Sequence, residues 1–143
     1  NGIISFENIV GSSYADTLLG DAASNSISGG TGSDSIQGGA GTNTLSGGTG
    51  NDTIVGGSGA DSISGGADND ELEAGTDTGL NTIDGGSGDD SIVASSSTGS
   101  NTLTGGTGSD AIISGSGDDL IDGGDGTGWL LRGRPIGRNR LGG

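Results

Sequence analysis

The sequence predicts an all-β protein, a parallel β-roll (a β-solenoid) made of stacked coils that each contain 18–20 residues. A glycine-rich motif returns every nine residues over most of the chain, and one large aliphatic residue recurs at the same place in each motif. Hydrophobic residues make up only 27% of the 143 residues, which is too few for the core of an ordinary globular domain. The repeat therefore has to supply the fold.

The nine-residue repeat is continuous through the middle of the chain. From Gly29 onward the chain reads GGTGSDSIQ, GGAGTNTLS, GGTGNDTIV, GGSGADSIS and GGADNDELE. Two eleven-residue units, at 74–84 and 94–104, then alternate with further nine-residue units that end at Asp122. A fixed period of this kind is the signature of a solenoid in which neighbouring repeats stack on each other.

Each repeat contains a turn and a short strand. The Gly-Gly-x-Gly segment permits positive φ angles and close backbone approach, as a tight turn requires. The following x-aliphatic-x segment predicts a three-residue strand with its central side chain inward. Two units make one coil, so each strand stacks on the strand one coil later, about 4.8 Å away. The inward positions form a predicted aliphatic seam: Leu18, Ile27, Ile36, Leu45, Ile54, Ile63, Leu72, Ile83, Ile92, Leu103, Ile112 and Ile121.

The charges are separated along the chain. The formal net charge is −15, and the four basic residues are Arg132, Arg134, Arg138 and Arg140. All 19 acidic residues precede them, so the body of the chain repels itself and needs cations. Nucleic acid is not an expected partner, because phosphate contacts require Lys and Arg.

The residue types also exclude several kinds of chemistry. The chain has no Cys, which removes disulfides and thiolate sites, and no apolar run of about 18 residues that could span a membrane. It has neither His nor Lys, so a Ser-His pair and pyridoxal phosphate chemistry are absent. The acidic pairs at 89–90 and 118–119 occupy turn positions. We therefore expect a structural protein with no catalytic residue, not an enzyme.

Sixth positions of alternate repeats fall on the same edge of the predicted roll. Both eleven-residue units belong to the second edge and lack the Gly-Gly start. The first, which we name the Asp edge, carries Asp16, Asp34, Asp52, Asp70, Asp90 and Asp110. The second, the Asn edge, carries Asn25, Asn43, Asp61, Asn81, Asn101 and Asp119. The two edges are chemically different.

These repeats, with the lead-in FENIVGSSYADTLLGD, resemble the RTX (repeats-in-toxin) family, whose consensus is GGxGxDxUx with U a large aliphatic residue. The resemblance implies a parallel β-roll that binds calcium, a hard cation that takes six to eight oxygen ligands. It implies that each ion lies between stacked turns, bound by the sixth-position Asp of both turns and by backbone carbonyl oxygens. On this chain it implies about five ions along the Asp edge. The implied carbonyl ligands include Gly30, Gly32, Gly48, Gly50, Gly66, Gly86, Gly88, Gly106 and Gly108.

Some positions depart from the family pattern. Asp68 replaces a glycine in GGADND, so we expect a distorted site there, and the Asp16 turn, GSSYAD, also departs. Asn offers a carbonyl oxygen without charge, so we expect the Asn edge to be mostly metal-free, with stacked Asn side chains hydrogen-bonding along the coils. Asp61 and Asp119 are weaker candidates for metal ligands. The alternative is that both edges bind calcium.

Calcium dependence suggests when the chain folds. Without calcium the carboxylates repel each other and we expect disorder, whereas ion binding supplies the free energy of folding. Extracellular calcium modules bind at roughly 10⁻⁴–10⁻³ M, so such a chain stays unfolded in the cytosol and folds on export. The resemblance implies an extracellular part of a larger polypeptide, exported by type I secretion from a Gram-negative cell.

Two other functions remain open. A flat face of Ser and Thr could bind ice, as in some RTX-like antifreeze adhesins, or a rigid acidic rod could serve as a spacer in an adhesin or S-layer. Ser and Thr are also ordinary residues of solvated strands. The face in question carries Ser26, Ser28, Thr44, Ser46, Ser62, Ser64, Thr82, Thr102 and Thr104.

The predicted organisation has three parts. Residues 1–10 form a lead-in or cap, residues 11–122 form the roll, and residues 123–143 form a degenerate repeat with an atypical basic tail. The tail is interpreted as disordered or foreign to the native chain. A second interpretation is that Trp129 and the two leucines after it cover the exposed end of the seam, since terminal repeats require capping.

Overall fold

A computed structural model describes residues 8–131 and the backbone of residues 140–142. The described residues form two parallel sheets, and the chain alternates between them. The first sheet contains β1 (Asn8–Val10), β3 (Ser26–Thr31), β5 (Thr44–Thr49), β7 (Ser62–Ala67), β9 (Thr82–Ser87), β11 (Thr102–Thr107), β13 (Leu120–Asp122) and β15 (Arg140–Gly142). The second contains β2 (Thr17–Leu19), β4 (Ser35–Ala40), β6 (Thr53–Ser58), β8 (Glu71–Glu73), β10 (Ser91–Val93), β12 (Ala111–Ile113) and β14 (Trp129–Leu131). The predicted parallel β-solenoid is confirmed.

The register shows how long each coil is. Ile27 pairs with Leu45, which is one coil of eighteen residues. Where an eleven-residue unit intervenes, the spacing becomes twenty, as for Ile63 with Ile83. The extra two residues are absorbed in the turn, because the strands on either side keep their pairing. Within each sheet, the inward side chains therefore stay in one row.

The inward rows of the two sheets together form the core. The inward aliphatic residues from Ile27 to Ile121 are at most 2% exposed, while Leu18 and Ile9 at the beginning of the roll are partly buried. Ala74 and Ala94, the first residues of the eleven-residue units, are buried as well and were not among the predicted core positions. One large aliphatic side chain per repeat makes a thin seam, so the coils need further interactions at their edges.

Seven of the fifteen described strands are longer than the predicted three residues. Strands β3 to β7 have six residues, because pairing continues through the glycines, as between Gly30 and Gly48. The three-residue strands β8, β10 and β12 are followed by Ala74, Ala94 and Ser114 in place of the first glycine. The glycine pair thus lets the β ladder continue into the corner of the coil.

The C-terminal part of the described chain continues the stack. Asp125 bridges to Thr107, and β14 pairs with β12 so that Leu130 lies over Ile112. Trp129 and Leu131 flank it and remain 79% and 61% exposed. Residues 1–7, 132–139 and 143, which include most of the predicted lead-in and basic tail, lie outside the described residues. Within the described residues, no helix has the length and hydropathy to cross a membrane.

Candidate metal centre

The predicted Asp-edge residues form one ladder. Each of the six directly precedes a strand of the second sheet, β2 to β12, and so occupies the same corner of its coil. Asp16, in the first described turn, is partly exposed. The other five are at most 3% exposed: Asp34, Asp52, Asp70, Asp90 and Asp110. Sequence and register together therefore place a line of carboxylates inside the roll, a position that acidic side chains rarely occupy without a partner.

One oxygen of each carboxylate has a regular partner. The backbone N–H of each residue donates to Oδ1 of the Asp in the next coil. The N···Oδ1 distance is 2.8 Å for Asp16 to Asp34, 2.7 Å for Asp34 to Asp52, 2.8 Å for Asp52 to Asp70, 2.8 Å for Asp70 to Asp90 and 3.0 Å for Asp90 to Asp110. Each carboxylate therefore reaches across the gap between two coils.

The other oxygen has no donor. Oδ2 is fully buried and accepts no hydrogen bond in Asp34, Asp52, Asp70, Asp90 or Asp110. A buried carboxylate oxygen without a partner is costly, and it demands either a proton or a cation. Asp16 differs, because its Oδ2 accepts hydrogen bonds from Ser12 N at 2.6 Å and Ser12 Oγ at 2.9 Å. Five of the six residues thus present an oxygen that suits a metal ion.

The first glycine of each turn makes room for that oxygen. A Cβ on Gly47 would lie 2.7 Å from both Asp52 Cγ and the carbonyl oxygen of Gly65, and closer still to Asp52 Oδ2. Gly29, Gly65, Gly85 and Gly105 have the same relation to the Asp five residues later. Only glycine therefore fits at this position, because a Cβ would occupy the space that Oδ2 takes inside its own turn.

The later glycines orient the backbone. The nine predicted as carbonyl ligands all have positive φ, between 103° and 129°. A Cβ on Gly48 would collide with the carbonyl oxygen of Gly30, and one on Gly106 with that of Gly86. These carbonyl oxygens thus face along the stack, toward the next coil. That is the direction in which a ligand for an ion between coils has to face.

The GGADND turn keeps this conformation. Asp68 has a φ of 77°, in the region its neighbours occupy as glycine, and the pairing of Gly66 with Gly86 is retained. Aspartate tolerates this region better than most residues. Its Oδ2 accepts a hydrogen bond from Gly50 N at 3.1 Å. The backbone at this turn therefore follows the same path as in the turns with glycine at this position.

Burial changes the acidity of the ladder. Burial, opposed by the hydrogen bond from Asp52 N and reinforced by the charges of Asp52, Asp90 and Asp68, raises the pKa of Asp70 to about 7. Burial is also the main cause that raises the pKa of Asp52 and of Asp90. In the ionised form these carboxylates lack compensation, and a cation would supply it.

On the Asn edge, an amide nitrogen occupies the place of Oδ2. A Cβ on Gly38 would lie 2.8 Å from Asn43 Nδ2, just as a Cβ on the equivalent glycine of the Asp edge would meet the Oδ2 of its Asp. Asn25 Nδ2 donates to the carbonyl oxygen of Ala23 at 2.6 Å, and Asn101 Nδ2 to that of Gly99 at 3.1 Å. The turn carbonyls here face a hydrogen-bond donor, so these turns satisfy themselves without an ion.

The Asn side chains also bond along the stack, as expected. Asn43 Nδ2 donates to Asp61 Oδ1 at 3.0 Å, and Asn81 Nδ2 to Asn101 Oδ1 at 3.1 Å. Both acidic residues of this edge are buried. Asp119 Oδ1 accepts from Asn101 N at 2.9 Å and Nδ2 at 3.0 Å. On the Asn edge, the side-chain amides therefore link the coils by hydrogen bonds, in the role that a cation would have on the Asp edge.

A second ladder, outside the predicted site, supports the Asp edge. Asn69 N donates to Asn51 Oδ1 at 3.1 Å, Asp89 N to Asn69 Oδ1 at 2.9 Å, and Ser109 N to Asp89 Oδ1 at 2.7 Å. The signal in the sequence was Asn or Asp at the fifth position of alternate repeats. These exposed side chains accept hydrogen bonds from the following coil, whereas the sixth-position carboxylates accept them from the preceding coil.

The hydroxyl-bearing face is also aligned. Ser26, Thr44 and Ser62 stand in one row, and Ser28, Ser46 and Ser64 in the other. The rows continue through Thr82, Thr102 and Thr104, with Asp84 interrupting the second. This alignment follows from the coil register and does not select a ligand by itself.

The chemistry of the donor set narrows what the Asp edge can hold. Among the described residues, no three or more His, Cys, Asp and Glu side chains converge as a metal site. Ligation there would use two carboxylates per gap together with backbone carbonyl oxygens. An all-oxygen set of this kind suits a hard cation such as calcium.

Comparison with known proteins identifies the repeat. A family model described as the RTX calcium-binding nonapeptide repeat (4 copies) matches residues 10–45, 37–72, 46–79, 76–98 and 95–130. The overlapping matches cover both edges and both eleven-residue units. No curated protein matches the chain.

Proposed function

Since the chain belongs to the RTX calcium-binding nonapeptide repeat family, a family of calcium-binding structural modules, we propose that it binds its ions along the Asp edge and folds in response to them. The observation that carries the proposal is the row of buried carboxylate oxygens without a donor, from Asp34 to Asp110. Bound calcium would supply the positive charge that this row lacks. The repeat and its solenoid are structural, not catalytic.

The proposed sites lie in the gaps between successive Asp-edge residues. Four gaps join two buried Asp residues, from Asp34 to Asp110, and these are the strongest sites. The gap between Asp16 and Asp34 is the fifth and weakest, because Ser12 already donates to Asp16 Oδ2. These gaps would hold about five ions in total. The proposed carbonyl ligands are the glycines at the second and fourth positions of these turns, except that Asp68 occupies the fourth position of GGADND.

The coupling to folding has a physical reason. The thin seam cannot hold the coils alone, and residues 8–131 contain no Lys or Arg to neutralise the carboxylates. Removing the ions leaves repelling charges inside the roll. Because the unfolded chain has no preformed site, the free energy of binding stabilises the folded state.

The calcium concentration on each side of the membrane determines where the chain can fold. Sites of the extracellular class bind at roughly 10⁻⁴–10⁻³ M, above the calcium level of a cytosol. We infer that the chain passes through type I secretion unfolded and folds outside the cell, as one section of a larger polypeptide. The family supports this inference, because RTX repeats typically occur in secreted proteins.

A calcium titration of the whole chain tests the proposal. We expect a cooperative change from coil to β structure in far-ultraviolet circular dichroism, with about five Asp-edge ions counted by calorimetry. Magnesium is the control, because it requires near-ideal octahedral geometry and loses water reluctantly. A count near ten would show that the Asn edge also binds throughout. Complete strand structure in calcium-free buffer would refute the folding role.

A further inference from the structure

The outer face of the second sheet changes character toward its C-terminal end. On β10, β12 and β14, the residues before and after the inward side chain form two outward rows, which the register aligns along the stack. On the neighbouring strand β8, the same two rows carry Glu71 and Glu73. We name the uncharged outward residues of the three later strands the C-terminal face: Ser91, Val93, Ala111, Ile113, Trp129 and Leu131.

This face contains large apolar side chains that the single chain leaves open. Trp129 is 79% exposed, Leu131 61% and Ile113 36%, and Leu131 pairs with Ile113 in the sheet. The equivalent outward positions of β9, β11 and β13 in the first sheet are mostly Thr and Asp. A contiguous exposed apolar patch on one sheet marks an interaction surface, whereas scattered apolar residues do not.

The charges at the two ends of the C-terminal face are opposite. Glu71 and Glu73, at one end, are both exposed. Arg132, the first basic residue of the sequence, directly follows Leu131 at the other end. Three strand spacings, about 14 Å, separate the backbones of β8 and β14, so an ion pair within one chain would need both side chains fully extended across the face. Two copies in opposite orientation bring these charges together without that requirement.

We propose that a second copy of this chain covers the C-terminal face, in a dimer whose two-fold axis is parallel to the strands and lies between β10 and β12. Contacts with two-fold symmetry are the commonest in soluble oligomers, and they require a self-complementary surface. This axis places β10 of one copy against β12 of the other, so that Val93 packs on Ile113 of the second copy. It also places β8 against β14 of the second copy, where the indole N–H of Trp129 meets Glu71 as an acceptor.

The size of the face sets the strength of the dimer. Only four short strands of each copy overlap, so the interface is at the small end of the range for specific contacts and the association is weak. The opposite charges at its ends determine how the two copies align. This inference goes beyond the proposed function, because it concerns the outer face of the second sheet and uses no residue of the Asp edge.

Analytical ultracentrifugation of the whole chain in saturating calcium, over a wide range of protein concentration, tests the dimer. Ile113→Thr keeps a residue that suits a strand but removes apolar contact at the centre of the face, and we expect it to raise the dissociation constant about tenfold. Val55→Thr is the matched control, because Val55 occupies the same row on β6, outside the interface, and should leave the constant unchanged. Circular dichroism and the calcium count should be the same in all three chains.

Reciprocal charge reversal tests whether the occupant is a second copy. Glu73→Lys and Arg132→Glu should each weaken the dimer, and the double variant should restore it, because opposite charges then meet again across the two-fold axis. Added salt should weaken the unsubstituted dimer. A chain that stays monomeric at every concentration, equal effects of Ile113→Thr and Val55→Thr, or a double variant that does not recover would each overturn the dimer. These outcomes leave the proposed function standing, since every variant keeps the Asp edge.

Discussion

Aspartate and asparagine fill the same space in these turns but present opposite hydrogen-bonding groups. At Asn43 the inner atom is an amide nitrogen that donates to turn carbonyl oxygens, whereas at Asp52 it is an oxygen without a donor. One atom thus changes a turn that satisfies itself into one that requires a cation. The first glycine of the turn matters equally in both cases, since it leaves room for that atom.

Substituting Ala for Gly47 should weaken the Asp edge locally. The added Cβ meets Asp52 Oδ2 and the backbone oxygen of Gly65, and backbone cannot move aside easily. We expect a loss of about 1–3 kcal/mol in the free energy of unfolding with calcium present, together with weaker calcium binding. Thermal unfolding and calorimetry measure the two effects. Ser46→Ala, one residue earlier, is the control and should change stability by less than about 0.5 kcal/mol.

At the scale of the structural element, the Asp edge is a pair of ladders. Sixth-position Oδ1 atoms accept hydrogen bonds from the preceding coil, whereas fifth-position side chains accept them from the following coil. The Asn edge has amide links in addition. The two edges therefore contribute differently: the Asn edge links coils without metal, and the Asp edge does so when its charge is neutralised.

Exchanging the residue types should exchange these properties. Asp52→Asn borders two gaps, so we expect the ion count to fall by at least one and β structure in calcium-free buffer to increase. Asn43→Asp should do the opposite, because it buries a second carboxylate beside Asp61 and removes an amide link. Circular dichroism with and without calcium measures both. If the two variants shift the calcium requirement in the same direction, the Asp–Asn distinction does not set it.

At the scale of the whole molecule, the roll is a stack of buried charges around a thin aliphatic seam. Each coil contacts its neighbours through the same few rows, so the loss of one row affects the entire stack. The pKa values of Asp52, Asp61, Asp70 and Asp90 are all raised, mainly by burial. In the absence of metal, protons are the remaining source of neutralisation.

The metal-free chain should therefore be more folded in acid. A carboxyl whose folded pKa is raised, such as Asp70 at about 7 against an ordinary 3.8, stabilises the fold below the ordinary value. That stabilisation is lost as the pH rises through the folded pKa. We expect β structure in metal-stripped buffer to decrease from about pH 4 to about pH 7, and apparent calcium affinity to increase over the same range. Circular dichroism at constant ionic strength measures the first, and an opposite trend would contradict the assignment.

Repetition allowed the sequence by itself to determine much of this protein. A nine-residue period with one aliphatic residue in each unit leaves few ways to bury that residue, so the parallel roll, its seam and its two edges followed without coordinates. The eleven-residue units were visible as insertions, and the coil spacing of eighteen or twenty residues could be counted.

The tertiary structure alone decided which atoms lack partners. The sequence placed Asp61 in a repeat and Asp77 in an insertion, but the hydrogen bonds that Asn81 makes to both depend on how the longer turn folds over the previous coil. Likewise, only atomic positions distinguish Asp16, which Ser12 satisfies, from Asp34, whose Oδ2 has no donor. Periodicity determines the order of residues along the stack, whereas satisfaction of a buried oxygen depends on distances of a few ångströms between coils.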